Sequence, residues 1–201
     1  DTSEVSTEIK DDEDPVKVIL EATTSTSEDG GSITYTAKLV EADGKPVVAK
    51  EAVVVTLENG ETITIEANSS EGTSSPVAVN RDDVYKETDS ITNSIKGVTG
   101  GESFEKLQAD TSEVSTEIKD DEDPVKVILE ATTSTSEDGG SITYTAKLVD
   151  ADGKPVVAKE AVVVTLENGE TITIEANSSE GTSSPVAVNR DDVYKETDSI
   201  T

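Results

Sequence analysis

The 201-residue chain contains no Cys, His, Met or Trp. Disulfides, thiol chemistry and the usual zinc centres are therefore excluded. The same absence removes the common nucleophile–base pairs of hydrolases. Paired carboxylates remain available as acid and base, as in glycosidases. Such sites sit in clefts with aromatic walls, and only 2% of this chain is aromatic, so the composition argues against an enzyme. Positive charge is scarce too: 16 Lys and Arg stand against 44 Asp and Glu, for a formal net charge of −28. Without a basic face, neither nucleic acid nor an anionic membrane surface is expected as a partner. No run approaches the roughly 18–20 apolar residues of a membrane span, and no signal peptide is visible. No small-molecule substrate is expected.

Acidic, aromatic-poor chains are often disordered. Here the apolar residues alternate regularly, which points to folded β structure. The chain is also repetitive. Residues 1–92 return as 110–201, an offset of 109, with Glu41 against Asp150 as the one difference. That period is too long for a solenoid turn and suits a whole domain. The expected divisions are 1–13, an end strand of a preceding repeat plus an acidic linker; 14–122, a first repeat; and 123–201, a second repeat without its last strand. Residues 93–109 have no counterpart after Thr201. The expected partners are neighbouring identical repeats in the same chain, and the expected state is a monomer.

Within one repeat, "VKVILEAT" (16–23) places Val16, Val18, Leu20 and Ala22 on one face. "SITYTAKLV" (32–40) sets Ile33, Tyr35, Ala37 and Leu39 against Ser32, Thr34, Thr36 and Lys38. "EAVVVTL" (51–57), "ETITIEA" (61–67), "SPVAVN" (75–80), "DSITNSIKGV" (89–98) and "SEVSTEIK" (112–119) continue the pattern. Period-2 runs rich in Val, Ile and Thr predict strands. "SEDGG", "EADGKP", "LENGE" and "VTGGES" predict turns, and "ENGE" a hairpin. The fold class is all-β: tandem immunoglobulin-like antiparallel sandwiches of about seven strands each, arranged as an extended rod. Tyr35 and Phe104 are expected in the core. Residues 46–57 are long for one strand and leave the parity of the loops open.

The acidic residues are not evenly spread. "KDDEDPVKV" puts Asp11, Asp12, Glu13 and Asp14 directly before a proline, and Asp120, Asp121, Glu122 and Asp123 repeat the run. Two unit charges about 5 Å apart repel by roughly 3 kcal/mol at an effective dielectric near 20. A larger cluster must stay hydrated, protonate in part or bind a cation. Hard oxygen donors without His or Cys favour Ca²⁺. In an up-and-down order, the run at 120–123 shares one end with the A–B loop (Glu28, Asp29), the C–D turn (Asn59, Glu61) and the E–F loop "NRDDVYKETD" (Asp82, Asp83, Asp89). The next repeat adds Asp150 and Asp152 of "VDADGK". The candidate metal ligands are therefore Asp11, Asp12, Asp14, Glu28, Asp29, Asp82, Asp83, Asp89, Asp120, Asp121 and Asp123. Their second-repeat counterparts and neighbours are Glu137, Asp138, Asp150, Asp152, Asp191, Asp192 and Asp198. The plainer alternative is a solvated charged face. No EF-hand spacing is present, so a site would be assembled from several loops.

"TSTSEDGGSITYTAKLVEADGKPV", "TLENGETITIEANSSEGTSSPVAV", "DDVYKETDSITNSIKGVTGGESFEKL" and "DDEDPVKVILEAT" resemble the repeats of giant repeats-in-toxin (RTX) bacterial adhesins of the biofilm and ice-binding type. The resemblance covers essentially the whole repeat. It implies an immunoglobulin-like extender domain on the extracellular bacterial cell surface, type I export and calcium at domain junctions. By motif, "DDVY" falls on Asp82–Tyr85 and Asp191–Tyr194. Two functions are in view: a calcium-stiffened structural extender, and a calcium-dependent carbohydrate- or partner-binding module with Tyr85 beside Asp82 and Asp83. A calcium-independent sandwich is a third.

Overall fold

A computed structural model describes residues 6–10 and 13–189. Their regular elements are all strands, and among the described residues no helix is long and apolar enough to cross a membrane. The chain divides into two compact units, Asp1–Asp82 with Lys86–Asp121, and Asp83–Tyr85 with Glu122–Thr201.

Unit 1 carries β1 (Pro15–Ala22), β2 (Ser25–Ser27), β3 (Asp29–Ile33), β4 (Tyr35–Glu41), β5 (Val53–Leu57) and β6 (Thr62–Ile65). It continues with β7 (Glu71–Thr73), β8 (Val77–Asn80), β9 (Asp89–Asn93), β10 (Ile95–Gly100), β11 (Lys106–Ala109) and β12 (Val114–Lys119). The twelve segments trace seven courses, because five courses break once and send each half to a different neighbour. One layer is β11-β1-β4-β7, continued by β3-β8. The other is β6-β5-β10, continued by β9-β12-β2. This is an immunoglobulin-like sandwich. The first and last courses also pair in parallel, β1 with β11 and β2 with β12.

The core follows from the period of two. Val16, Val18 and Leu20 of β1 share one buried face with Tyr35, Ala37 and Leu39 of β4, Val18 opposite Leu39 and Leu20 opposite Ala37. The second layer adds Val53, Val55, Leu57, Ile63, Ile65, Ile95 and Ile118. Thr36 and Lys38 stay on the outer side, where Lys38 pairs with Glu21 at 2.6 Å. Tyr35 is in the core as expected; Phe104 packs at its edge and is only partly buried.

Two expectations change. The stretch 46–57 divides: Pro46 bridges Val40, and the Val47 N–H donates to the Leu39 carbonyl at 2.9 Å. The chain thus follows β4 before crossing to the other layer, and β5 begins only at Val53. The "ENGE" hairpin forms, with Gly60 at φ 90° and its N–H donating to the Leu57 carbonyl at 3.0 Å. It lies beside the middle of the next course, since Leu57 pairs with Ile95. Asp89 is six residues further along that course, roughly 20 Å away at about 3.3 Å per residue. Asn59 and Glu61 therefore do not join the end that Asp89 marks.

Unit 2 carries β13 (Lys126–Ala131), β14 (Asp138–Ile142), β15 (Tyr144–Val149), β16 (Val162–Thr165), β17 (Thr171–Ile174), β18 (Glu180–Thr182) and β19 (Val186–Asn189). Its sheets are β13-β15-β18, β14-β19 and β16-β17. The pairings repeat those of unit 1: Val127 faces Leu148 as Val18 faces Leu39. The core is smaller, with Ala146, Leu148, Val156, Ala158, Ile172 and Ile174 buried. The sequence of 93–119 does not recur after Thr201, and the residues it covers in unit 1 are open in unit 2. Val18 and Leu20 are 0% and 8% exposed, whereas their twins Val127 and Leu129 are 47% and 51% exposed.

Candidate functional site

The acidic loops meet where β12 ends. Because β2 runs parallel to β12, with Lys119 opposite Ser27, the turn after Ser27 falls at the exit of the last strand. That turn is tight. A Cβ on Gly31 would lie 2.1 Å from the Ser27 carbonyl oxygen, so only glycine fits there. Glu28 sits at its apex. The Glu28 N–H donates to the Lys119 carbonyl at 3.1 Å, and the Arg81 N–H, just beyond β8, donates to the Glu28 carbonyl. Three loops are thereby tied to one residue.

The Glu28 side chain turns inward and is buried. Its Oε1 accepts the Asp121 N–H at 3.1 Å. Carboxylate oxygens of Glu28, Asp82 and Asp121 come within 4.8 Å of one another. The Asp121 N–H pulls the Glu28 pKa down. Burial, the Asp120 charge and the hydrogen bonds shared with the Asp121 and Asp120 carboxylates outweigh it and leave the pKa above the ordinary 4.5. The donor set is all oxygen and excess negative charge. It fits a hard divalent cation, which would relieve the same repulsion that raises Glu28.

The other candidate residues lie in varied settings. Asp120 is half-buried beside Glu28. Asp29 is exposed in β3, opposite Asn80. Asp89 forms an ion pair with Arg81 and accepts the Ser90 N–H at 2.7 Å; the Arg81 guanidinium holds its pKa below the usual value. The backbone N–H of Asp14 donates to Glu105 at 2.6 Å. Asp123 is half-buried and belongs to the stretch assigned to unit 2. Asp11, Asp12, Asp191, Asp192 and Asp198 lie outside the described residues. Arg81, which sequence reasoning passed over, lies eight residues before Asp89; its positive charge within an acidic loop is the signal available.

Within unit 2, Glu137 and Asp138 are exposed. Asp150 caps its own hairpin, accepting the Asp152 and Lys154 N–H groups at 2.9 and 2.8 Å, and Asp152 pairs with Lys154 at 3.1 Å. Asp83 accepts the Tyr85 N–H at 2.7 Å. The Tyr85 hydroxyl donates to the Val157 carbonyl at 2.6 Å, and the Lys159 ammonium lies 3.9 Å from its ring centroid. Tyr85 is thus engaged on one face of its ring and at its hydroxyl.

Fold and site together define a tandem of immunoglobulin-like sandwiches with acidic loops at a strand exit. The model of the LapA domain matches residues 14–121 and 123–201, and the chain belongs to that family. Among solved structures, one described as "Crystal structure of invasin: a bacterial integrin-binding protein" is similar over 87% of this chain at 20% identity, with a TM-score of 0.36. This chain covers 34% of that one. No curated protein matches the chain.

Proposed function

We propose that the chain is a structural extender of a large bacterial cell-surface adhesin, stiffened by calcium and carrying no catalytic centre. Its part is to project an adhesive domain located elsewhere in the parent protein. The observation that carries the reading is the buried Glu28 carboxylate, set between Asp82 and Asp121 where β12 leads on toward the second repeat. Glu28, Asp82 and Asp121 would hold the ion. Bound there, calcium would neutralise like charges and fasten the A–B loop, the E–F loop and the strand exit together. Adhesin membership and a secreted, cell-surface location rest on the family and on the resemblance of the repeat to RTX extenders. Recurrence of residues 1–92 as 110–201 with one changed residue also suits a spacer better than a specific binding surface.

The test is thermal melting in millimolar CaCl₂ against EDTA, beside calorimetric titration of calcium. Calcium should raise the melting temperature of unit 1 by about 5 °C or more, as expected for binding well above Kd in a domain of this size. Glu28→Gln should remove most of the gain. An unchanged melt with no binding heat would reduce the acidic loops to a solvated surface and the protein to a passive spacer.

A further inference from the structure

Of the three carboxylates that converge in unit 1, two belong to residues bonded directly to each other's segments. The Glu28 N–H donates to the Lys119 carbonyl at 3.1 Å, and the Asp121 N–H donates to Glu28 Oε1 at 3.1 Å. Asp82 is placed differently. It is exposed and lies beyond the end of β8. The main-chain tie beside it, from the Arg81 N–H to the Glu28 carbonyl, is long at 3.4 Å. A second tie at the same point is the ion pair between the Arg81 guanidinium and the Asp89 carboxylate.

The position of that pair in the fold is specific. Arg81 follows β8, whose Asn80 lies opposite Asp29 of β3. Asp89 opens β9 and lies opposite Ile118 of β12. Glu28 immediately precedes β3, and Asp121 comes two residues after β12. The pair therefore closes a ring that runs from Glu28 along β8, across to β9 and back through β12 to Asp121, with Asp82 next to the clasp. It also closes the base of loop 82–88, which shortens the free chain that must be ordered before Asp82 can serve as a ligand. Asp89 is itself held, since its carboxylate accepts the Ser90 N–H at 2.7 Å. The two paired side chains are 49% and 39% exposed, and ion pairs so open to water add little to stability. What this one can do is fix a direction.

We propose that Arg81 and Asp89 act together as a positioning pair, holding the Asp82 carboxylate in place for a divalent cation without touching the ion. The inference rests on the calcium reading above. It gives Asp89, expected from the sequence among the metal ligands, a supporting role instead. Positioning and plain electrostatics predict different signs. Arg81 is a cation beside an anionic site, so by charge alone its removal tightens cation binding, while removal of Asp89 loosens it. The same opposite signs follow if Asp89 is itself a ligand. Positioning predicts one sign for both, because breaking the pair at either end frees Asp82 and weakens binding.

The measurement is calorimetric titration of CaCl₂ into the whole chain and into Arg81→Gln, Asp89→Asn and the double variant, joined to melts in EDTA. Each single variant should raise Kd about tenfold, the scale of losing a group that orients a metal ligand. The double variant should bind no more weakly than either single one, because the two residues act as one unit. In EDTA the melt of unit 1 should fall by less than about 5 °C in all three, as suits an exposed ion pair. Arg81→Lys, which can keep the ion pair, should recover most of the affinity. Tighter binding by Arg81→Gln, an unchanged Kd in either single variant, additive losses in the double variant, or a collapse of the EDTA melt that accounts for the lost affinity would each overturn the proposal and leave the calcium reading standing. A wild-type chain that gives no binding heat would overturn both.

Discussion

At the scale of single residues, Glu28 is the group on which the site turns. Its carboxyl is held above the ordinary 4.5, so between that value and its folded pKa the folded chain binds more protons than the unfolded one. Stability in metal-free buffer should therefore rise as pH falls from neutral through the folded pKa toward 4.5, and be lost again as pH rises. Asp43, Asp89 and Asp110 have the opposite sign. Lys45, Arg81 and Ser112 respectively hold them below 3.8, and that stabilisation disappears as pH drops below 3.8. The melting temperature of unit 1 in EDTA should pass through a maximum on the acid side of neutrality. Glu28→Gln should flatten the limb above 4.5 and leave the lower limb in place; a wild-type limb that falls steadily from pH 7 downward would contradict this account. With calcium present the upper limb should invert, because the ion binds the ionised carboxylate and loses affinity as it protonates.

At the scale of elements, much of the fold was legible because one face of each strand is buried. The alternation in "SITYTAKLV" reports its own inward set, and Ile33, Tyr35, Ala37 and Leu39 are that set. What alternation cannot report is a course that changes its partner strand. Thr34 and Ser94 interrupt continuous apolar–polar patterns where the partner strand switches, and a period of two passes through such a break unaltered. The short β11 was missed for the related reason that "KLQA" has too little apolar character to stand out. In the site, the meeting of the A–B loop, the E–F loop and the strand exit was readable from strand order. The inward turn of Glu28 rather than Asp29 was not, since it depends on the tight turn at Gly31. Close backbone approach gives a sharper test of the sheets themselves. A Cβ on Gly72 would lie 2.2 Å from the Thr64 carbonyl oxygen. Gly72→Ala must push β7 from β6, and should cost about 2 kcal/mol or more by overpacking, lowering the unit 1 melt by roughly 8 °C or more. Gly181→Ala, with the same 2.2 Å approach to Thr173, should lower the melt of unit 2 while sparing unit 1.

At the scale of the whole molecule, the two repeats set the same strand sequence beside residues 93–119 in unit 1 and apart from such a stretch in unit 2. β1 and β13 share "KVILEA", yet the strand that pairs with β11 and contacts β12 is buried and its twin is open. Burial of Val16, Val18 and Leu20 is worth about 1 kcal/mol apiece over their half-exposed twins, or roughly 3 kcal/mol for the strand. That difference should appear in hydrogen exchange as about 100-fold greater protection of β1 amides than of β13 amides. Appending the sequence of residues 93–119 after Thr201 supplies the missing courses to unit 2. Protection in β13 should then rise to the level of β1, Ser134–Ser136 should become protected as Ser25–Ser27 are, and the two units should melt together. If the extended chain left β13 as exchangeable as before, its openness would have a cause other than the missing strands, and the explanation of the second core by absent partners would fail.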